Sequence, residues 1–297
     1  MSVIFIDGNT GNLGNQIFPI FQALSFYKKY PSVFDRIYFK NYYTDPLSLR
    51  IDQSIIDNLF SLEDISKIIS FDAPEFDHIW NLRNNSKKEK TVNLYDLNLP
   101  KDFDESCDLF ITGYCQNYRK IDSDSIQSCL KINSDLLEEI NNYYGDLSDI
   151  VCLHIRRGDY LLDTNKSYGY ITYPENFIIN LCNKYSEGRK ILCVSDDIGW
   201  CKKSLRIIPN IIFADKHKSN DIINTKTICL DLIIPSLCYR NLTSPSSFCV
   251  ASCLLNPRKD MVICDPYYFN EKWNNNSELQ ITPPWAKKES ILNYSTP

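Results

Sequence analysis

The sequence predicts an α/β protein built on parallel sheets, and three observations carry that expectation. Between residues 150 and 265, short apolar runs rich in Ile, Val and Leu alternate with amphipathic segments. That is the pattern of a parallel sheet with helices on both faces. The N-terminus follows the same plan, with an apolar run, a loop holding Gly8, Gly11 and Gly14, then apolar residues at helical spacing. A chain of 297 residues is long enough for two domains of ordinary size, and the polar turn Gly145–Asp149 is the natural boundary.

Val3–Ile6 reads as the first strand and Asp7–Gly14 as a loop. Asn15–Tyr30 follows as a helix, with Ile17, Phe18, Ile20, Phe21, Leu24 and Tyr27 near helical spacing. Pro19 falls in its first turns, where a missing amide costs little. Arg36–Lys40 predicts a strand, Ile51–Ile69 contains helical stretches, and Leu109–Gly113 predicts another strand. Ser123–Tyr144 reads as one helix closing the first half. Ile150–Leu153 is a buried strand, and a helix over Tyr173–Tyr185 accompanies Pro174. Strand Ile191–Val194, helix Ile198–Leu205 and strand Ile211–Phe213 come next. Thr225–Cys238 predicts a helix kinked at Pro235. Strand Asn241–Thr243, helix Cys249–Leu255 and strand Met261–Cys264 complete the alternation.

Net charge is −5 and the pI about 5.3, which argues against a broad basic surface for nucleic acid. No run reaches the ~18–20 apolar residues of a membrane span. The opening Met-Ser-Val-Ile-Phe-Ile-Asp-Gly has neither a basic region nor a long apolar core, so no signal peptide is expected and the location expected is cytoplasmic. Twelve cysteines lie in apolar company without a Cys-x-x-Cys pair, and none of the three histidines sits at ligand spacing from them. This speaks against zinc and for reduced thiols.

The chemistry concentrates after residue 150. The strand Ile150–Leu153 runs into His154, Arg156, Arg157, Gly158 and Asp159. Ligands bind beyond the carboxyl ends of strands in open α/β sheets. A guanidinium placed there must be hydrogen-bonded or solvated. Two forked guanidiniums suit a diphosphate, and they equally suit ion pairing with Asp159. Ser195-Asp196-Asp197 ends the next strand, where a carboxylate fits either a helix cap or a nucleoside. Ser244-Pro245-Ser246-Ser247-Phe248 opens a helix, where hydroxyls and amides fit either a cap or a phosphate. The glycine loop near residue 11 is neither Gly-x-Gly-x-x-Gly nor a P-loop, so nicotinamide and ATP are poorly supported.

His154-x-Arg156-Arg157-Gly158-Asp159-Tyr160 resembles the donor-binding motif of the α-1,2-fucosyltransferases, glycosyltransferase family 11. Its His-x-Arg-Arg core is shared with α-1,6- and protein O-fucosyltransferases. Gly11-Asn12-Leu13-Gly14-Asn15-Gln16 resembles the family's Gly-Gly-Leu-Gly-Asn-Gln, with Asn12 in place of a glycine. Asparagine tolerates left-handed backbone better than most residues. Gly113-Tyr114-Cys115-Gln116 resembles Gly-Tyr-Phe-Gln, and Val194–Lys202 is similar to the second motif. Ser246-Ser247-Phe248 keeps the core of the third motif without its tryptophans. The tail, with Trp273 and Pro283-Pro284-Trp285, resembles the closing segment.

The resemblance implies a GT-B-like fold, two Rossmann-like domains facing a cleft. Residues 1–148 would form the acceptor side, 149–265 would bind GDP-fucose, and 266–297 would pack back on the first domain. The implied activity is inverting transfer of L-fucose from GDP-β-L-fucose to the 2-hydroxyl of a terminal β-galactose. Gly11, Asn12, Gly14 and Asn15 would close over the donor. His154 and one of Asp196 or Asp197 would contact guanine, with Ser195 in the same turn. Arg156, Arg157, Ser246 and Ser247 would hold the diphosphate, with Phe248 beside them. Arg157 would stabilise the leaving charge, and Asp159 and Asp163 are the carboxylates available for the acceptor proton. No metal is expected, because arginines and helix amides can neutralise the diphosphate and Asp196 and Asp197 are adjacent rather than spaced as Asp-x-Asp. The missing tryptophans also leave open a homologue that binds nucleotide or glycan without turnover, or a fucosyltransferase of another linkage. The retained Arg157, Asp-Asp and Ser-Ser-Phe argue against loss of activity.

Overall fold

A computed structural model describes residues 2–8, 13–41, 53–61, 67–71, 98–99, 103, 108–111, 113, 115–167, 170–218, 224–265 and 282–291. The chain separates into two units, Met1–Ser134 and Asp135–Pro297. The sequence-based boundary lies a little later, in the turn at 145–149.

The first unit opens with β1 (Ser2–Gly8), which buries Ile4, Phe5 and Ile6. Helix α1 (Leu13–Lys29) starts two residues earlier than its apolar spacing suggests, because Leu13 and Gly14 are buried as well. Pro19 therefore stands at its seventh position rather than in the first turn. Residues 16–26 of α1 are buried on every side, and Lys28 and Lys29 sit where the helix dipole favours cations. Then come β2 (Phe34–Asn41), α2 (Gln53–Leu59), β3 (Ile69–Phe71) and β4 (Leu109–Ile111). The four strands are parallel, in the order β3-β2-β1-β4.

The single helix expected over Ser123–Tyr144 is two helices, α3 (Ser123–Cys129) and α4 (Ser134–Tyr144). Between them the backbone turns to α2 instead of to itself. Asn133 N donates to Leu59 O at 3.0 Å, and Ser61 N donates to Lys131 O at 2.7 Å. Leu130 and Ile132 keep the apolar rhythm through the break, which hides it in the sequence.

The second unit contains β5 (Val151–Ile155), α5 (Asp163–Ser167), α6 (Glu175–Tyr185), β6 (Ile191–Ser195), α7 (Ile198–Ser204) and β7 (Ile211–Phe213). It continues with α8 (Thr225–Leu237), β8 (Arg240–Thr243), α9 (Ser247–Leu254), β9 (Met261–Asp265) and β10 (Lys287–Ser290). Its six parallel strands lie in the order β10-β9-β8-β5-β6-β7. Val151, Leu153 and Ile155 pack with Phe177, Ile178 and Leu181 of α6. Cys152 and His154 alternate to the other face. Helix α8 runs through Pro235 and ends two residues later.

The tail adds a strand that the sequence reading did not name. Residues 287–290 pair with β9 and extend the second sheet, while 266–281 and 292–297 lie outside the described residues. Glu289 accepts from Lys184 Nζ at 2.5 Å and from the Tyr185 hydroxyl, both on α6. Lys-Lys-Glu-Ser has no apolar alternation, so nothing in it announces a strand.

In each sheet the chain moves outward through three strands and then returns to the other side of the first. The reversals fall between β1 and β4 and between β5 and β8. Such switch points open a crevice at the carboxyl ends of the strands, where α/β proteins bind ligands. No helix among the described residues is long and apolar enough to cross a membrane.

Candidate functional site

At the switch point of the first sheet, Gly11 and Asn12 lie outside the described residues. Gly14 is buried in the first turn of α1. Asn15 Oδ1 accepts from Gln116 Nε2 at 2.7 Å. This bond joins the segment after β1 to the segment after β4, across 101 residues. Gly113 has φ +88° and Cys115 φ +51°, so the chain after β4 turns through left-handed backbone, which glycine supplies without strain.

The switch point of the second sheet gathers most of the charged residues singled out in the sequence. His154 is the fourth residue of β5, paired in register with Val194 and Thr243. Ser244, just past β8, donates its N–H to the His154 carbonyl at 2.9 Å and accepts from Arg156 N at 3.1 Å through its hydroxyl. The Arg156 guanidinium donates from Nη2 to Asp159 Oδ1 at 2.6 Å and from Nη1 to Asp196 Oδ2 at 2.9 Å. It also lies 5.6 Å from the Tyr160 ring centroid. Burial opposes the charge on Arg156, but Asp196 and Asp159 raise its pKa above the usual guanidinium value.

Arg157 is held differently. Its N–H donates to Asp196 Oδ1 at 2.9 Å and its Nε to Asp197 Oδ2 at 3.1 Å. Its guanidinium carbon sits 3.6 Å from the Trp200 ring centroid, a close stack. The side chain is only 13% exposed. Arginine carries five N–H donors, and among the described residues Nε is the one engaged by a carboxylate, which leaves the Nη groups to meet an incoming anion.

Both carboxylates after β6 are thus bonded to arginines. Asp197 also caps α7, accepting from Trp200 N at 3.1 Å, and its own N–H donates to Ser195 Oγ at 3.0 Å. Gly158 is required by Asp196, since a Cβ there would stand 2.3 Å from Asp196 Oδ2. Asp163 is not part of the cluster: it starts α5, is 98% exposed and pairs with Lys166 at 3.1 Å.

Across the crevice from β5, Ser246 is the first residue before α9, buried and without a side-chain cap bond. Ser247 and Phe248 form the first turn of that helix. Phe248 meets the His154 ring edge-on at 5.6 Å. His154 is 4% exposed, and its Nδ1 has no partner among the described residues. Burial lowers its pKa to about 4, so the ring is neutral near pH 7. A buried polar atom without a partner calls for an explanation, and a ligand group in the crevice is one.

Sequence reasoning met Ser244, Tyr160 and Trp200 only inside longer motifs and gave none of them a role of its own. Asp-x-Asp spacing does occur, at Asp102–Asp104 and Asp122–Asp124. The second of these caps α3, with Asp122 Oδ1 accepting from Asp124 N at 3.2 Å, and the acidic residues of the first lie outside the described residues.

Most of the chain is similar in fold to solved fucosyltransferases. A structure of NodZ α-1,6-fucosyltransferase soaked with GDP-fucose matches with a TM-score of 0.55 at 14% identity, covering 91% of this chain and 98% of that one. POFUT1 in complex with GDP-fucose matches at 0.52 and 13% identity, covering 88% and 97%. NodZ from Bradyrhizobium matches at 0.52 and 15%, covering 86% and 95%. At such identities the likeness establishes the fold, which is GT-B-like. A search of the curated proteins returns no match. The family model of glycosyl transferase family 11 matches residues 97–289, which include both the segment after β4 and the arginine cluster, so the chain belongs to glycosyl transferase family 11.

Proposed function

We propose that the protein transfers L-fucose from GDP-β-L-fucose, with inversion, to the 2-hydroxyl of a terminal β-galactose. The observation that carries the reading is the pair Arg156 and Arg157, aimed by Asp159, Asp196 and Asp197 at the switch point facing the start of α9. Support for the donor comes from the GDP-fucose in the similar NodZ and POFUT1 structures. The linkage rests on membership of family 11 and on Gly158-Asp159-Tyr160.

In this reading His154 Nδ1 meets the guanine and the arginines meet the diphosphate. As the fucose–phosphate bond breaks, its electron pair goes to the β-phosphate oxygen. The Nη groups of Arg157 and the positive end of the α9 dipole stabilise that charge most in the transition state. The galactose oxygen attacks the opposite face of the anomeric carbon, which inverts it. Of the two carboxylates considered for the acceptor proton, Asp159 stands in the cluster and takes that role, while also orienting Arg156. No metal is needed for the diphosphate.

The test is incubation with GDP-fucose and a panel of β-galactosides, N-acetylglucosaminides and a peptide, with the product linkage read by NMR. An α-1,2-linked fucosyl galactoside is expected. Fucose on O6 of N-acetylglucosamine or on a serine would overturn the linkage and keep the donor. Turnover of GDP-mannose but not GDP-fucose would overturn both.

A further inference from the structure

The turn that aims the arginines rests on a second set of charged groups, which the mechanism above does not use. Strand β7 stops early: its last pairing is Phe213 with Cys193, and Ala214 N donates to Cys193 O at 2.8 Å. Carbonyls two residues apart point to the same side of a strand, so the Ser195 carbonyl faces the place where β7 has ended. Lys218 takes the place of the missing strand, donating from Nζ to Ser195 O at 2.7 Å. The same ammonium pairs with Asp231 Oδ2 of α8 at 2.8 Å. Asp231 Oδ1 lies 3.0 Å from His217 Nε2, and His217 Nδ1 lies 2.7 Å from the hydroxyl of Tyr144, the last residue of α4. That hydroxyl accepts from Lys216 N at 3.2 Å.

One arrangement of protons satisfies every group. Burial pushes the Tyr144 phenol up, so it keeps its proton and donates it to His217 Nδ1. His217 then donates from Nε2 to Asp231, whose other oxygen accepts from Lys218. The His217 side chain is fully buried, and those of Asp231 and Lys218 are 15% and 17% exposed. A buried network with all partners met is rigid, and this one ends on the carbonyl next to Asp196.

We propose that Lys218 and Asp231 are positioning residues of the donor site: the Lys218 ammonium fixes the Ser195 carbonyl, and through it the Asp196–Asp197 turn that aims both arginines. The effect on turnover rests on the fucosyl-transfer reading; the effect on geometry does not. Trp200 supplies a probe independent of substrate, because Arg157 stacks on its ring. The experiment compares the full-length protein with Lys218→Met and Lys218→Ala, folding checked by circular dichroism. Trp200 emission is isolated by subtracting the matching Trp200→Phe proteins, and kcat and KM for GDP-fucose are measured alongside.

Lys218→Met is expected to shift Trp200 emission and to lower kcat/KM at least tenfold, mainly through kcat. Added ethylammonium should restore part of the emission in Lys218→Ala. Unchanged emission with kcat/KM within twofold, even if the melting temperature falls, would make the network purely structural and overturn the proposal. If the wild-type protein consumes no GDP-fucose, the transfer reading fails and the emission alone decides the positioning. If Lys218→Met does not fold, the isosteric Asp231→Asn carries the same comparison.

Discussion

Replacing Gly158 by alanine separates the placement of the arginines from their presence. The new methyl would meet Asp196 Oδ2 at 2.3 Å and Cγ at 3.3 Å. The φ of Gly158 lies outside the left-handed region, so alanine costs the backbone little. The carboxylate must instead withdraw by about 1 Å to reach ordinary contact, which takes it from both Arg157 N and Arg156 Nη1. These groups are partly exposed, so solvent screens the loss and stability should fall by only about 1–2 kcal/mol. Activity should suffer more, because a misplacement of about 1 Å at reacting groups costs up to ~100-fold. We expect kcat/KM for GDP-fucose to fall about 10–100-fold, or about 1.4–2.8 kcal/mol. The same substitution in an Asp196→Asn background should add little, because the two act through one contact. The assay is GDP release with a galactoside acceptor, alongside thermal melting. A Gly158→Ala enzyme within twofold of wild type would refute the dependence of the arginines on Asp196.

Arg157→Ala should lower kcat by about 100–1,000-fold through lost transition-state stabilisation, and Arg157→Lys should recover little because an ammonium lacks the fork; steady-state kinetics on folded variants checks both. Activity should persist in excess EDTA, and strict dependence on added manganese or magnesium would show the diphosphate is neutralised in another way. His154 supplies a pH prediction. Its folded pKa, about 4, lies below the unfolded value near 6.5, so the unfolded chain binds the proton first as pH falls. Stability therefore drops below pH 6.5 and levels off below pH 4, with a loss of about 2 kcal/mol between pH 7 and pH 5. Urea unfolding at the two pH values should show it, and a folded His154→Phe protein should show a smaller difference.

The second sheet was legible because its central strands are buried on both faces and so read as continuous apolar runs. Ile150–Leu153 and Ile191–Val194 fall within a residue or two of β5 and β6. The arginine cluster was legible because charge directly after such a run is unusual enough to demand an explanation. Its internal geometry was not. That Asp196 bonds both arginines depends on the approach of Gly158 to Asp196, which joins residues 38 apart through the side-by-side pairing of β5 and β6. Asp159 and Asp163 look alike in sequence, but a short 3-10 turn over Gly158–Leu161 keeps one beside Arg156 and sends the other to solvent. Lys218 and Asp231 were missed because a lysine between polar neighbours reads as surface, and the partners of the aspartate inside the apolar helix lie 14 residues away at His217 and at Lys218 beside it.

The return of the chain from β7 to the open side of β5 has a consequence for how the protein is made. Val151 pairs with Arg240, and Arg156 N reaches Ser244 across 88 residues. During synthesis β5, β6 and β7 emerge long before β8, so an apolar edge of β5 waits unpaired. Closing the longer loop adds only about 0.6 kcal/mol of entropy for each doubling of length, but non-local parallel pairing is slow. The waiting edge is a template for wrong pairing between chains. Recovery of active protein should therefore be governed by how fast β8 arrives rather than by the stability of the finished fold. Faster elongation through residues 214–239, or a chaperone that shields the β5 edge, would raise the yield where a stabilising surface mutation would not.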